Sequence, residues 1–367
     1  MQKVLFLLLL MLVQTTPVAA QHTSNTKPLR IGVKGLVHTH VHWILGRDDL
    51  GDIEIVGISE PNSDLARRYT KQHNLSMDLV YPTLEEMIAE TQPDVVTDFG
   101  TIIGHLETVQ ACAPKGIHVM VEKPLAVSLD HARQMEQLAK DHDIHLLTNY
   151  ESTWYPTTYK SGAMVKEGAL GDLRKIVVHD GHPGPKEIGV NEEFLEWLTD
   201  PIQNGGGAIT DFGCYGANLM TWLMQNERPL SVMAVTQQIK PDIYPKVDDE
   251  ATIIVTYPKA QGIIQASWNW TYNRKDMAIY GTDGYIRTVD GPTMYTRLGE
   301  ESKENKVLLD PVEYPINDPF AYFKAIVDGN LDPAYELSSL PNNMIVMEIL
   351  EAAKQSALSG QRIDLKR

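Results

Sequence analysis

Between Leu29 and Leu147 short apolar runs alternate with helical patterns, and this alternation limits the possible folds more than any other feature of the chain. The runs are Leu29–Val33, Ile53–Ile58, Val95–Asp98, His118–Val121 and Ile144–Leu147. Between them, Ser63–Gln72 opens on a capping residue, and Thr83 with Glu86 forms a capping box ahead of Met87 and Ile88. His105–Lys115 ends at Gly116, a helix-stopping glycine, and Ser128–His142 sets Ala132, Met135, Leu138 and Ala139 on one face. Strands alternating with helices of this length predict a parallel sheet wrapped on both sides. The pattern is that of a doubly wound, nucleotide-binding Rossmann domain over residues 28–148.

From Tyr150 onward the rhythm changes. Lys175–His179, Leu230–Thr236, Ala251–Tyr257, Gly262–Trp268 and Asp276–Tyr280 are β-rich runs joined by turns, Gly281–Gly284 among them. One long helical pattern, Asp211–Met224, interrupts them, and a last helix is expected over about 341–359. Residues 149–367 are therefore expected to form an α+β domain with an open, mostly antiparallel sheet. A length of 367 residues suits two such domains.

The N-terminus follows neither pattern. A positive start at Lys3, the apolar run Val4–Val13 and the small residues Val18, Ala19 and Ala20 predict a cleavable signal peptide over 1–20, cut after Ala20. The apolar run is too short to span a bilayer, so the chain is expected in a periplasm or outside the cell. Asp and Glu outnumber Lys and Arg 48 to 32, a formal charge of −16, which argues against nucleic acid or an anionic membrane as partner. Cys112 and Cys214 fall in different domains and are expected as free buried thiols.

Candidate chemistry begins in the turn after the first strand. A dinucleotide fold places G-x-G-x-x-G here, so that backbone can approach the pyrophosphate. The chain reads Gly35-Leu36-Val37-His38-Thr39-His40 and keeps only the first glycine. Glu60 closes the second run, where an acid accepts from a ribose hydroxyl and favours NAD over NADP. His38, His40 and His42 suggest a metal, with His38 and His42 one helical turn apart. No third ligand lies nearby in the sequence, and a helix-start cluster packed on the first strand is the expected outcome, with no metal.

The block Val121-Glu122-Lys123-Pro124-Leu125-Ala126 follows the fifth strand, and Gly205-Gly206-Gly207-Ala208-Ile209-Thr210-Asp211-Phe212-Gly213-Cys214-Tyr215-Gly216 precedes the long helix. With Gly168–Gly171 and His105, these blocks resemble the signatures of the Gfo/Idh/MocA oxidoreductase family along nearly the whole mature chain. The tyrosine form of the second block is similar to the exported glucose-fructose oxidoreductase subgroup. The resemblance implies NAD, with NADP as the alternative, held by Gly35, Leu36, Val37, His38, Glu60, His105, Glu122 and Lys123. It implies Lys123, Asp211 and Tyr215 as catalytic residues: the lysine holds the reacting oxygen, the tyrosine takes its proton as base, and the aspartate positions substrate or tunes that base. Its alternative role for Asp211 is N-cap of the long helix. A homo-oligomer is implied as well.

Tyr150, Glu151 and Tyr155 follow the last strand of the first domain, and His179 and His182 end the first strand of the second. Aromatics with acids and histidines suit a polyhydroxylated ring, so these residues are expected to bind a small carbohydrate. The expected activity is hydride transfer at a CH–OH group of a sugar by a dehydrogenase that recycles a tightly held NAD. An NAD-dependent glycosidase or lyase, working by oxidation, elimination and reduction, is the alternative. A sugar-binding protein that has lost catalysis is the second, resting on the broken glycine pattern.

Overall fold

The computed structural model describes residues 27–300 and 302–365, so the expected signal segment at 1–20 lies outside the described residues. Six strands build the first sheet: β1 (Leu29–Lys34), β2 (Ile53–Ser59), β3 (Val80–Tyr81), β4 (Val95–Asp98), β5 (His118–Glu122) and β6 (Leu146–Asn149). Their order is β3-β2-β1-β4-β5-β6 and every pairing is parallel. The order reverses between β1 and β4, which places a crevice at the carboxyl ends of the strands. Between the strands run α1 (Val41–Leu45), α2 (Ser63–Gln72), α3 (Leu84–Thr91), α4 (His105–Cys112) and α5 (Leu129–Asp141).

Thr83 caps its helix as expected, but the cap of α2 is Asn62 rather than Ser63, which lies inside the helix. Thr83 accepts from the Glu86 amide at 3.2 Å and Ser128 from the His131 amide at 3.2 Å, while Asn62 caps α2 through the amides of Asp64 and Leu65. Gly116 turns left-handed past α4, at φ 69°. β4 and β6 are buried along their whole length and β5 along all but its first residue, as befits strands covered by helices on both faces.

The second sheet has nine strands in the order β14-β13-β12-β11-β7-β10-β9-β8-β15. The expected runs become β7 (Leu173–Gly181), β8 (Ser231–Gln237), β9 (Glu250–Thr256), β10 (Gln261–Ser267) and β11 (Arg274–Gly281). To these the structure adds β12 (Gly284–Thr288), β13 (Thr293–Leu298), β14 (Asn305–Leu308) and β15 (Ile363–Asp364). Only β7 and β10 pair in parallel. Helices α6 (Pro156–Lys166) and α7 (Glu192–Leu198), both unforeseen, flank β7 in the sequence.

One expected helix is two. Asp211–Met224 divides into α8 (Ala208–Asp211) and α9 (Gly213–Leu223), broken at Phe212. Asp211 ends α8 rather than capping α9, whose first turn has no side-chain cap, because its carboxylate is engaged by Lys123 and Trp268 instead. Helix α9 and the last helix, α11 (Leu340–Ser359), cover one face of the second sheet and share its core. Helix α10 (Pro319–Val327) returns to the first sheet, where Phe320, Phe323 and Ile326 pack with Ile31, Val33 and Ile58. Cys112 and Cys214 are free and buried, and no helix among the described residues is long and apolar enough to cross a membrane.

Candidate active site

Lys123 follows β5 and reaches across 88 positions of sequence to Asp211 at the end of α8. Its ammonium donates to the Asp211 carboxylate and, at 3.1 Å, to the Asp211 carbonyl, while the indole of Trp268 donates to the other carboxylate oxygen at 3.0 Å. Lys123 is 6% exposed and Asp211 4%. Burial disfavours both charges, yet each holds its partner ionised: the lysine ends above its ordinary value and the aspartate below. The glycine-rich approach to α8 makes the meeting geometrically feasible. Gly205 lies at φ 80°, and a Cβ there would come within 2.7 Å of the Val127 carbonyl on the first domain.

Tyr215, one turn into α9, is buried between two ammonium groups. Lys123 Nζ lies 5.3 Å from the ring centroid and Lys275 Nζ 4.7 Å. Lys275 is on β11, opposite Asp180 of β7 in the antiparallel register, and its ammonium pairs with Glu151, which also accepts from the Tyr155 hydroxyl. Burial raises Glu151, but Lys275 and the Tyr155 hydroxyl outweigh it and hold the carboxyl down to about 2. Asp180 is fully buried, one of its carboxyl oxygens has no hydrogen-bond partner among the described residues, and burial pushes its pKa well above the carboxylate range. Asp180, Tyr155, Ser152 and Lys275 line one cavity.

The Tyr215 phenol differs from its expected state as a base. Burial, with Glu151 and Asp180 nearby, pushes it well above its ordinary value, and the two lysines are already committed to carboxylates. Its resting form is the neutral phenol. Tyr150, which packs edge-on to Tyr215 at 5.3 Å, is likewise neutral, and its hydroxyl has no partner among the described residues.

The expected carbohydrate residues divide. Tyr150, Glu151 and Tyr155 join the cluster around Tyr215, and His182 lies against Phe212, 4.8 Å between ring centroids. His179 pairs with Asp276 at 2.9 Å, and both line the same cavity as Asp180 and Lys275. Lys275 and Trp268 were missed. A strand starting at Asp276 leaves Lys275 in a turn, and only the β7–β11 register shows that it faces Asp180.

In the first domain Gly35 keeps its left-handed turn at φ 76°, where a Cβ would meet Gly100 Cα at 2.8 Å. Glu60 is buried and ties this loop down, accepting from the Leu36 amide at 2.9 Å and the Asn62 amide at 2.8 Å. Val37 packs against the core. His105 is fully buried under the Lys123 turn and its Nδ1 meets the Leu125 carbonyl at 3.1 Å. His42 falls away from the other two histidines to pair with His73 at 2.8 Å, because α1 begins only at Val41 and His38 stands outside it. His40 Nδ1 instead bonds the Glu122 carboxylate at 2.9 Å, and Asn149 donates to its other oxygen at 2.8 Å. Burial raises Glu122, but the two imidazoles and this amide hold it at about 2.

His182 gives the site a pH signature. Burial lowers it to about 4 despite the pull of Asp211. Its folded pKa lies below its unfolded value of about 6.5, so its neutral ring stabilises the fold above that value and the contribution is lost as pH falls toward 4. Between pH 7 and 4.5 wild type is expected to lose roughly 2 to 3 kcal/mol more unfolding free energy than His182→Gln. Equal losses in urea titrations at the two pH values would contradict this.

Residues 29–150 match the family described as "Oxidoreductase family, NAD-binding Rossmann fold", and residues 160–287 match the "GFO/IDH/MocA C-terminal domain". Together these span more than half of the chain, so fold and site define an oxidoreductase with an NAD-binding Rossmann domain. The chain belongs to the GFO/IDH/MocA family. It is similar to trans-1,2-dihydrobenzene-1,2-diol dehydrogenase of Xenopus tropicalis, 25% identical over 267 residues that cover 72% of this chain and 76% of that one. Among solved structures it resembles aldose-aldose oxidoreductase from Caulobacter crescentus complexed with glycerol. The TM-score is 0.77 at 19% identity, covering 92% of this chain and 100% of that one. An inositol dehydrogenase homolog from Azotobacter vinelandii, complexed with NADH and myo-inositol, gives 0.80 at 16%, covering 92% and 98%. At these identities the structural likeness is one of fold.

The residues present fit a dinucleotide at both ends of the crevice. Gly35 gives the tight turn, Glu60 would place a carboxylate at the end of β2 for a ribose diol, and Lys123 follows β5 at the carboxyl end of the sheet, beside the crevice. At the crossing between them, Val37 and His40 stand where the usual loop has glycine.

Proposed function

We propose that this chain is an exported enzyme that moves hydride between a CH–OH carbon of a carbohydrate and an NAD that stays bound from one turnover to the next. The observation that carries the reading is the polar group at the domain junction, with its Lys123–Asp211 pair buried and its Lys275–Glu151 pair half-buried. There the Lys123–Asp211 pair, the Lys275–Glu151 pair and neutral Asp180 surround the Tyr215 phenol. Few ligands other than a compact polyol present enough hydroxyls to engage so many donors and acceptors at once.

When bound, the nicotinamide supplies or takes the hydride. The protein does the rest. Lys123 holds the reacting oxygen by a charge-assisted bond while Asp211 and Trp268 fix the ammonium. Tyr215, a phenol at rest, gives its proton to an oxygen that becomes alkoxide, and in the reverse direction the phenolate left by that step takes the proton back from the reacting hydroxyl. Glu151, Tyr155 and His182 hold the remaining hydroxyls, and Glu60 favours NAD over the 2′-phosphorylated cofactor. Asp180 supports a second reading, elimination between oxidation and re-reduction, because a carboxyl kept neutral by burial can protonate a departing oxygen.

The Val4–Ala20 segment supports export, and an exported dehydrogenase is cut off from the soluble nicotinamide pool. Hydride taken from one substrate must then return to a second sugar or to a later intermediate. The purified protein is therefore expected to carry about one NAD(H) per chain through dialysis, and to turn over without added NAD or net NADH absorbance. Cofactor-free protein that needs excess NAD and accumulates NADH would overturn the recycling.

A further inference from the structure

The geometry points to a divalent-metal site of the zinc class formed by His38, His40 and Glu122. One ligand atom from each of the three lies within 4.8 Å of the others. The closest Glu122 oxygen is 2.9 Å from His40 Nδ1 and 3.8 Å from His38 Nε2. Nitrogen and oxygen ligands of a tetrahedral zinc stand about 3.4 Å apart, so the two separations bracket the edge such an ion requires. The independent mark of a missing ligand is His38 itself. It is 2% exposed, and its Nε2, directed toward Glu122, has no hydrogen-bond partner among the described residues.

All three side chains are held in place by outer neighbours. Asn149 donates to the far oxygen of Glu122, His40 stacks on Trp43 with ring centroids 3.8 Å apart, and His38 is wedged between Phe194 and Trp197. Partners of this kind orient ligands in metal proteins. In the metal-free form the His40 amide donates to His38 Nδ1 at 3.1 Å, which leaves the ring proton on Nε2. Metal binding at His38 Nε2 requires that proton on Nδ1, so the His40 amide must turn away, and the His40 proton given to Glu122 is exchanged through solvent for one on Nε2 of the same ring, which stays neutral.

Two imidazoles with one carboxylate select Zn²⁺, Co²⁺, Fe²⁺ or Mn²⁺ over Mg²⁺ and Ca²⁺, which take oxygen ligands. Three protein ligands leave a fourth position open to an oxygen donor, as in catalytic zinc sites. His40 is the partly exposed member, so the ion enters from its side. Lys123 next to Glu122 does not repel the ion outright, because Asp211 already compensates its charge. The metal thus stands at the loop that lost its glycines, with His40 in the place of the third.

The test uses the whole chain, stripped with a chelator, then dialysed against Zn²⁺ or Co²⁺. About one ion per chain by plasma mass spectrometry, the visible bands of four-coordinate Co²⁺ and a raised melting temperature are expected. His38→Gln, His40→Ala and Glu122→Gln should each weaken binding at least about tenfold, whereas His42→Ala, whose ring pairs with His73, should leave it unchanged. The Co²⁺ spectrum of wild type needs no variant to fold. Less than a tenth of an ion per chain, or binding that survives all three ligand substitutions, would overturn the site.

Discussion

Lys123→Met lowers turnover about a thousandfold, the scale seen when a fixed donor to a developing oxyanion is removed, and it weakens the fold at the same time. The sequence alone suggested a lysine needed only at the reacting oxygen. In the structure its ammonium is buried on Asp211, so the substitution strands a buried carboxylate, at a cost of about 3 to 5 kcal/mol. The double variant Lys123→Met/Asp211→Asn removes that stranded charge and should regain most of the lost stability while staying inactive. Tyr215→Phe separates the roles from the other side. Its hydroxyl makes no hydrogen bond among the described residues, so melting should hardly move while turnover falls about 10²- to 10⁴-fold. Steady-state kinetics and thermal unfolding on the same preparations decide these outcomes. A double variant with wild-type turnover would remove Lys123 from the chemistry.

The first sheet was legible because each central strand is a short apolar run, and α2, α3 and α5 between them start at side-chain caps. Only β3 escaped, since Val80 and Tyr81 are too few to show a period. The far edge of the second sheet was not legible for a different reason. Strands β12 to β14 carry residues such as Arg287, Arg297 and Lys306 on a solvent face, and three of the four residues of β14 are exposed. Nothing in such a run separates a strand from a polar loop.

The site shows the same division. The residues of the two motif blocks could be named in advance, and the structure sets Lys123 against Asp211 and beside Tyr215. Their protonation could not, because it depends on which carboxylates surround them. Lys275 and the placement of Asp180 opposite it needed the register of β7 and β11. The missing partner of His38 and His40 was hidden by distance along the chain. Glu122 is 82 residues from His40, and parallel strands bring their carboxyl ends together without any local spacing to announce it.

The most direct measurement follows a single hydrogen. The protein as purified is mixed with sugars deuterated at one ring carbon at a time, quenched within a turnover, and the released dinucleotide is weighed by mass spectrometry. For one carbon position the NADH fraction should gain one deuterium, and over many turnovers the label should reappear in product with the total NAD(H) unchanged. Lys123→Met should transfer none. Sugar consumed while the dinucleotide stays unlabelled at every position, or a protein that holds no dinucleotide and still turns sugar over, would contradict hydride transfer at this site.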